Sequence, residues 1–147
     1  MLKKIDHIGI AVNNLNDALK MYKEVYGLEP VKIETLDDLH IKIAFIPLGE
    51  VLIELLEPIE PGIGSIGQFL AEKGEGIHHM AYRVENIDKV LERLKEMHVP
   101  LKDQRPRGGG DDSRIAFIDP VFTQNVLTEL VERKREVKTE QEKKALK

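Results

Sequence analysis

The chain of 147 residues contains no cysteine and no tryptophan. Disulfide staples, thiolate metal clusters and a cysteine nucleophile are therefore excluded, and a reducing compartment is permitted. Aromatic residues make up only 5%, so the core must be built largely from aliphatic side chains. Positive charge is not in excess: 22 Lys and Arg stand against 26 Asp and Glu, a formal net charge of -4. Such a chain lacks the basic footprint that tracks a phosphate backbone, and no nucleic-acid partner is expected. Long apolar runs are also missing. Val51 to Leu56 is interrupted by Glu54, and nothing approaches the roughly 20 apolar residues that cross a bilayer. The opening Met1-Leu2-Lys3-Lys4 turns polar at once, so no membrane span or secretion signal is expected and the protein reads as cytoplasmic. What is there, 41% apolar and 33% charged residues, is the composition of a globular chain. At this length a single domain is expected, with enough burial to fold without staples.

Self-similarity organises the sequence. Residues 5 to 12 read Ile-Asp-His-Ile-Gly-Ile-Ala-Val, and residues 77 to 84 read Ile-His-His-Met-Ala-Tyr-Arg-Val. At the offset of 72 that separates His7 from His79, Val12 meets Val84, Asn14 meets Asn86 and Leu19 meets Leu91. Ile43-Ala44-Phe45-Ile46 recurs as Ile115-Ala116-Phe117-Ile118, and Val51-Leu52-Ile53-Glu54-Leu55 faces Val126-Leu127-Thr128-Glu129-Leu130. Collinear matches across both halves imply duplication of one module. In each copy a period-two strand precedes a helix opened by Asn14 or Asn86, and Gly27 is placed to end the first helix. Further strands are expected near 29–35, 40–47 and 50–57, and near 101–103, 114–119 and 125–131. Module one spans about 3–58 and module two about 76–132. They are joined by a Pro- and Gly-marked linker, 59–75, in which Ser65 to Glu72 is expected to form a short helix. The stretch 133–147 is dominated by charge and is expected to be a solvated or frayed tail.

Each module offers one imidazole and one carboxylate at equivalent positions: His7 and Glu54, then His79 and Glu129. If the modules pair their sheets, these four converge on a shared concavity. Glu54 and Glu129 each stand inside an apolar strand, where an ionised carboxylate costs several kcal/mol unless it is paired or binds a cation. Alternatively Glu54 lies on the solvent face of a half-buried strand, although recurrence at the related site argues otherwise. Gly9 and Ala11 beside His7, and Ala81 beside His79, suggest a cavity kept open. The repeat aligns His78 with Asp6, so its side chain is expected on the opposite face. Two imidazoles with two carboxylates suit a divalent metal ion of the Ni2+, Co2+, Mn2+, Zn2+ or Mg2+ kind.

The segment Asp6 to Val12, the run His78-His79-Met80-Ala81, Ile53 to Pro58 and Val126 to Leu130 together resemble the methylmalonyl-CoA epimerases of the vicinal oxygen chelate, or glyoxalase-like, superfamily. The resemblance covers roughly residues 3 to 132. It implies an α+β fold in which two βαβββ modules form a curled eight-stranded mixed sheet around a divalent ion, often Co2+. It also implies an acyl-CoA substrate, epimerised by removal and return of a proton beside a thioester, and a homodimer. A metal held by His7, Glu54, His79 and Glu129 would supply the electrostatic stabilisation, with Glu129 first and Glu54 second as candidate bases. The chain departs from the family in three places. Lys42 stands where some epimerases carry a glutamate, and is expected to face outward. Asp119-Pro120-Val121 replaces a His-Pro-Lys, and Gln124-Asn125 replaces a Gly-Gly turn.

The loop Arg105-Pro106-Arg107-Gly108-Gly109-Gly110 is a candidate substrate-binding element. Three glycines permit close approach of an anion, and Arg105 or Arg107 suits a carboxylate or phosphate. A Gly-rich hairpin connection is the alternative. Lactoylglutathione lyase, on the same four ligands, and a non-catalytic small-molecule-binding protein are the competing functions.

Overall fold

The two asparagines paired by the repeat open helices in the same way. Each has an extended backbone, and each side-chain oxygen accepts from the amide three residues on, Asp17 N at 2.9 Å and Lys89 N at 3.1 Å. This satisfies one of the orphan donors of a helix start. The helices that follow, α1 (Leu15–Met21) and α3 (Ile87–Glu96), therefore occupy equivalent places in the two halves. A π-helical turn, Tyr22–Tyr26, extends α1 and ends at Gly27, whose φ of 68° supplies the left-handed cap expected there. A third helix, α2 (Gly64–Lys73), fills the linker. The computed structural model describes residues 1–137, and no helix among them is long and apolar enough to cross a membrane.

Eight strands form one sheet: β1 (Lys4–Ala11), β2 (Lys32–Leu36), β3 (Ile41–Leu48), β4 (Val51–Pro58), β5 (Gly76–Arg83), β6 (Arg107–Gly109), β7 (Ser113–Ile118) and β8 (Thr128–Glu132). Their order is β2-β3-β4-β1-β5-β8-β7-β6. The two repeat-related first strands, β1 and β5, pair antiparallel at the centre, and each has its own module's last strand, β4 or β8, parallel on its other side. The sheet curls until its outer edges meet. Lys32 Nζ of β2 reaches Asp111 Oδ1, in the turn before β7, at 2.6 Å, and a Cβ at Gly110 would lie 2.8 Å from Cζ of Phe45. The expected α+β fold is thus present, among the described residues, as an eight-stranded, nearly closed curled sheet with three helices.

Two expectations are corrected. The edge strand expected at 101–103 is a single bridge, Leu101 to Ile118, and the strand lies at Arg107–Gly109 instead. Pro100 and Pro106 bracket the earlier stretch, and a residue without an amide proton cannot extend a ladder. The charged tail is not solvated at its start. The Arg133 side chain is 2% exposed, and Val137 is buried against Ile41, Ile43, Phe45 and Leu56. Charge implies a solvated chain only when no buried counter-charge awaits it, and here Asp6 and Glu54 do. Residues 138–147 of that expected tail lie outside the described residues.

Packing divides between the two faces of the sheet. On the convex side α3 sets Ile87, Val90, Leu91 and Leu94 against Ala116, Ile118 and Leu130, and α1 sets Leu15 near Ala44, Ile46 and Leu55. Inside the curl, Ile66 of α2 joins Ile41, Ile43 and Leu56. The remaining concave surface is left to polar side chains.

Candidate active site

Pairing between β1 and β5 slips twice. Ile5 faces Tyr82 while His7 faces Ala81, and Gly9 faces His79 while Ile10 faces Ile77. Asp6 and His78 are the extra residues, so the same repeat position forms a β-bulge in both modules. A bulge breaks strict alternation and re-aims a side chain. His78 consequently lines the concave cavity beside His79, against the expectation that it faces away. Asp6 is buried beside His7.

His7 Nε2 lies 3.0 Å from His79 Nε2, and Glu129 lies 3.5 Å from the first nitrogen and 3.3 Å from the second. All three side chains are buried. Glu54 is placed differently: its Oε2 is 2.9 Å from His7 Nδ1 and 3.3 Å from Arg133 Nη2. Three of the four expected ligands therefore meet at one point, and the fourth stands across the His7 ring from them. The three fit a cation. Donors about 2.0–2.1 Å from an ion, as for zinc, are separated by roughly 2.8–3.4 Å when they subtend right to tetrahedral angles, close to the observed edges.

Behind His7 lies a buried ionic cluster. Asp6 Oδ1 is 2.7 Å from His7 Nδ1, Arg83 Nε donates to Asp6 Oδ2 at 2.7 Å, and Arg133 donates to both oxygens at 2.8 and 3.0 Å. Burial alone would raise the Asp6 pKa, but the hydrogen bonds and charges of His7 and Arg133 hold it well below the usual carboxylate range. His7 shows the same contest with opposite sign. Burial disfavours its charge, yet Glu54, Glu129 and Asp6 push it up to about 10. Burial raises Glu129 to about 7, with Glu54 and Asp6 adding and His7 and Arg133 opposing. His79 is held well below 6.5 by burial and then by its two imidazole neighbours. His78 falls to about 4 through burial and the charges of Lys102 and Lys73. Where the three donors meet, His7 is thus protonated and His79 neutral when no ion is present.

The cavity above has a volume of about 390 Å³, with Ile41, Ile43, Leu56 and Phe117 among its walls. Of the Gly-rich loop, Arg107 and Gly110 reach the cavity. Arg107 Nε is 3.2 Å from Asp103, and its guanidinium lies 5.7 Å from the Phe117 ring centre. Arg105 and Gly108 are exposed and away from the cavity. Gly109 is buried, and a Cβ there would lie 2.7 Å from the Ile115 side chain. Close packing accounts for Gly109 and Gly110. Lys42 is exposed on the side of β3 opposite Ile41 and Ile43. Gln124 and Asn125 both adopt positive φ, 53° and 63°, the conformation that a Gly-Gly turn takes without strain. Sequence reasoning overlooked Arg83 and Arg133, for which no local pattern exists. It also passed over Asp6, whose alignment with His78 was the visible signal.

Residues 6–117 match the glyoxalase/bleomycin resistance protein/dioxygenase superfamily. The chain is 38% identical over 141 residues to the uncharacterized protein YqjC of Bacillus subtilis, covering 96% of this chain and 100% of that one. It is 31% identical over 131 residues to an ethylmalonyl-CoA/methylmalonyl-CoA epimerase of Cereibacter sphaeroides, covering 88% and 98%. Among solved structures, a variant of Streptomyces coelicolor methylmalonyl-CoA epimerase in complex with 2-nitronate-propionyl-CoA superposes with a TM-score of 0.87. The two are 32% identical, with coverage of 91% of this chain and 96% of that one. With most of its length matched and both modules in one curled sheet, this chain belongs to the glyoxalase/bleomycin resistance protein/dioxygenase superfamily, with methylmalonyl-CoA epimerases among its homologues.

Proposed function

We propose that the protein interconverts the two configurations of methylmalonyl-CoA by moving the proton on the carbon between the carboxylate and the thioester. The carrying observation is the buried meeting point of His7 Nε2, His79 Nε2 and Glu129 at the floor of a cavity, in a chain with epimerase relatives. These three would hold a divalent ion, Co2+ by resemblance; Glu54, which pairs with His7 Nδ1 and Arg133, would have to turn from them to serve as the fourth donor. The ion would supply positive charge to the oxygens flanking the reacting carbon.

The chain's own groups do the remaining work. Glu129 is raised to about 7 by burial in the ion-free protein, and as a donor carboxylate that loosens from the ion it would take up and return the proton. Glu54, on the repeat-related strand, approaches from the far side of His7 and is the second candidate proton carrier. Ile41, Ile43, Leu56 and Phe117 exclude water from the reacting carbon. Arg107 and Lys102 at the wall suit the anionic carrier, whereas Arg105, exposed beyond the cavity, contacts only its outer part. Lys42 takes no part. The working unit is a cytoplasmic homodimer, to which the exposed Met1, Leu2, Val121 and Phe122 offer apolar surface.

The test is conversion of a single stereoisomer of methylmalonyl-CoA by the ion-loaded protein, with Glu129→Gln in parallel. Conversion that falls by orders of magnitude in the variant is expected. Undiminished turnover removes Glu129 from the chemistry, and no conversion by the parent protein refutes the activity.

A further inference from the structure

We propose that Asp6 and His78, the two repeat-related bulge residues, are positioning residues that lock His7 and His79 in the tautomer whose Nε2 lone pair faces the shared centre. Ser65 completes the lock on His79. The consequence for ion binding rests on the site reading above. The lock itself stands on hydrogen-bond accounting.

A neutral imidazole has one N–H and one lone pair, and fixing one nitrogen fixes the other. His7 Nδ1 is flanked by Asp6 Oδ1 at 2.7 Å and Glu54 Oε2 at 2.9 Å. Both are carboxylate oxygens, so Nδ1 keeps its hydrogen and Nε2 is the nitrogen that gives up its proton to an incoming ion. Asp6 cannot rotate away from this duty, because Arg83 and Arg133 hold both of its oxygens. No carboxylate serves His79 in this way. Its Nδ1 lies 2.8 Å from Nδ1 of His78, and in such a pair one ring must donate and the other accept.

When His79 donates, His78 accepts at Nδ1 and carries its hydrogen on Nε2, which lies 3.2 Å from Ser65 Oγ. Every link is then satisfied, and His79 Nε2 is left bare to accept from the protonated His7 Nε2 3.0 Å away until an ion takes its place. The opposite direction would put the His79 hydrogen between His7 and Glu129, in the space the donors converge on. The rings are also held in place by edge-on packing, His78 against Phe69 at 5.1 Å and His79 against Phe117 at 5.5 Å.

The bulge makes this arrangement possible. An unbroken strand would place the residue before each site histidine on the other face of the sheet, out of reach of the ring it orients. Duplication kept the device and changed its chemistry: a charged carboxylate orients one imidazole, and a neutral imidazole backed by a hydroxyl orients the other. A carboxylate partner raises the basicity of its histidine more, so His7 is the stronger donor of the pair.

The experiment uses the ion-free protein labelled with nitrogen-15 at histidine, together with Co2+ affinity by chelator competition. In the parent protein His79 is expected to show a protonated Nδ1 and a bare Nε2. His78→Phe keeps the ring and its contact with Phe69 but offers no acceptor. The second His79 tautomer then appears, and Co2+ affinity falls about 10–100-fold. His78→Asn, whose amide oxygen takes the place of Nδ1, restores most of both. Ser65→Ala admits a smaller share of the second tautomer than His78→Phe does, at His78 and His79 together, because the two rings share one hydrogen between their Nδ1 atoms. A His79 that already carries its hydrogen on Nε2, or a His78→Phe protein with parental thermal unfolding, tautomer and affinity, overturns the proposal. If His78→Phe does not fold, the parent tautomer and the His78→Asn comparison decide. A parent protein that takes up no divalent ion but shows these tautomers refutes the metal site and leaves the lock standing.

Discussion

Replacing Gly9 by alanine tests the geometry of the centre more sharply than removing a donor, because it adds a methyl group and deletes nothing. A Cβ on Gly9 would lie 2.2, 2.5 and 2.6 Å from three atoms of the His79 ring, inside contact distance of the whole imidazole. The ring cannot simply turn aside, since His7, His78 and Phe117 are packed edge-on around it. Such overpacking costs about 1–3 kcal/mol. In a domain of this size that corresponds to a Tm lower by a few degrees for each kcal/mol. The larger effect is expected on ion binding, because a displaced His79 Nε2 no longer stands 3.0 Å from His7 Nε2. Gly108→Ala is the control: nothing lies within 4 Å of its Cβ position, and the change should be neutral or stabilise by up to about 1 kcal/mol. Thermal unfolding and chelator-competition titration of both variants are the assays. A Gly9→Ala protein with parental affinity for Co2+ would show that His79 is not a donor in the position described.

Arg133→Met should destabilise the fold by about 3 kcal/mol, the low end for breaking a buried ion pair, because Asp6 keeps Arg83 at 2.7 Å. Denaturant unfolding measures it, and the added loss in the Arg133→Met, Asp6→Asn double variant should be smaller than the sum of the two single ones. In the ion-free protein, stability should fall as pH rises from 7 toward 10. His7 is raised from 6.5 to about 10, so its contribution is complete below the free value and is withdrawn as pH climbs through the folded one. Glu129, raised to about 7, acts in the same direction below that. The ion-loaded protein should not show this loss, because the cation replaces the proton, and ion uptake should release protons to buffer. A flat or rising Tm across this range in chelator contradicts it. On the acid side, Asp6 is held well below its free range, so its contribution is complete above that range and is lost progressively as pH falls from it toward the folded value.

The duplicated pattern made the architecture legible, because a core-facing residue at one strand position demands the same kind of residue at its repeat partner. His7 with His79, and Asn14 with Asn86, were readable as pairs for this reason. Alternation, however, assumes unbroken pairing. The slips at Asp6 and His78 depend on how β1 meets β5, and two strands 72 residues apart leave no local mark of a bulge. Glu54 illustrates the same limit. Its strand and its burial could be inferred, but whether it meets the other donors or crosses to the far side of His7 depends on Arg133. That residue lies 79 positions further along the chain, in a stretch whose charge alone suggested solvent. The Gly-rich loop was ambiguous in sequence because glycine serves both anion binding and tight packing. Gly109 and Gly110 are explained by packing, against Ile115 and Phe45 respectively.

If this chain's buried imidazoles and carboxylates move a proton on the carbon beside a thioester, hydrogen from the solvent must enter at that carbon. Incubating the Co2+-loaded protein in deuterated water with methylmalonyl-CoA, and separately with the hemithioacetal of methylglyoxal and glutathione, tests it directly by mass spectrometry. Deuterium entering the carbon between the carboxylate and the thioester, lost on chelation and in Glu129→Gln, is the expected result. Exchange confined to the hemithioacetal, or absent from both, would contradict it.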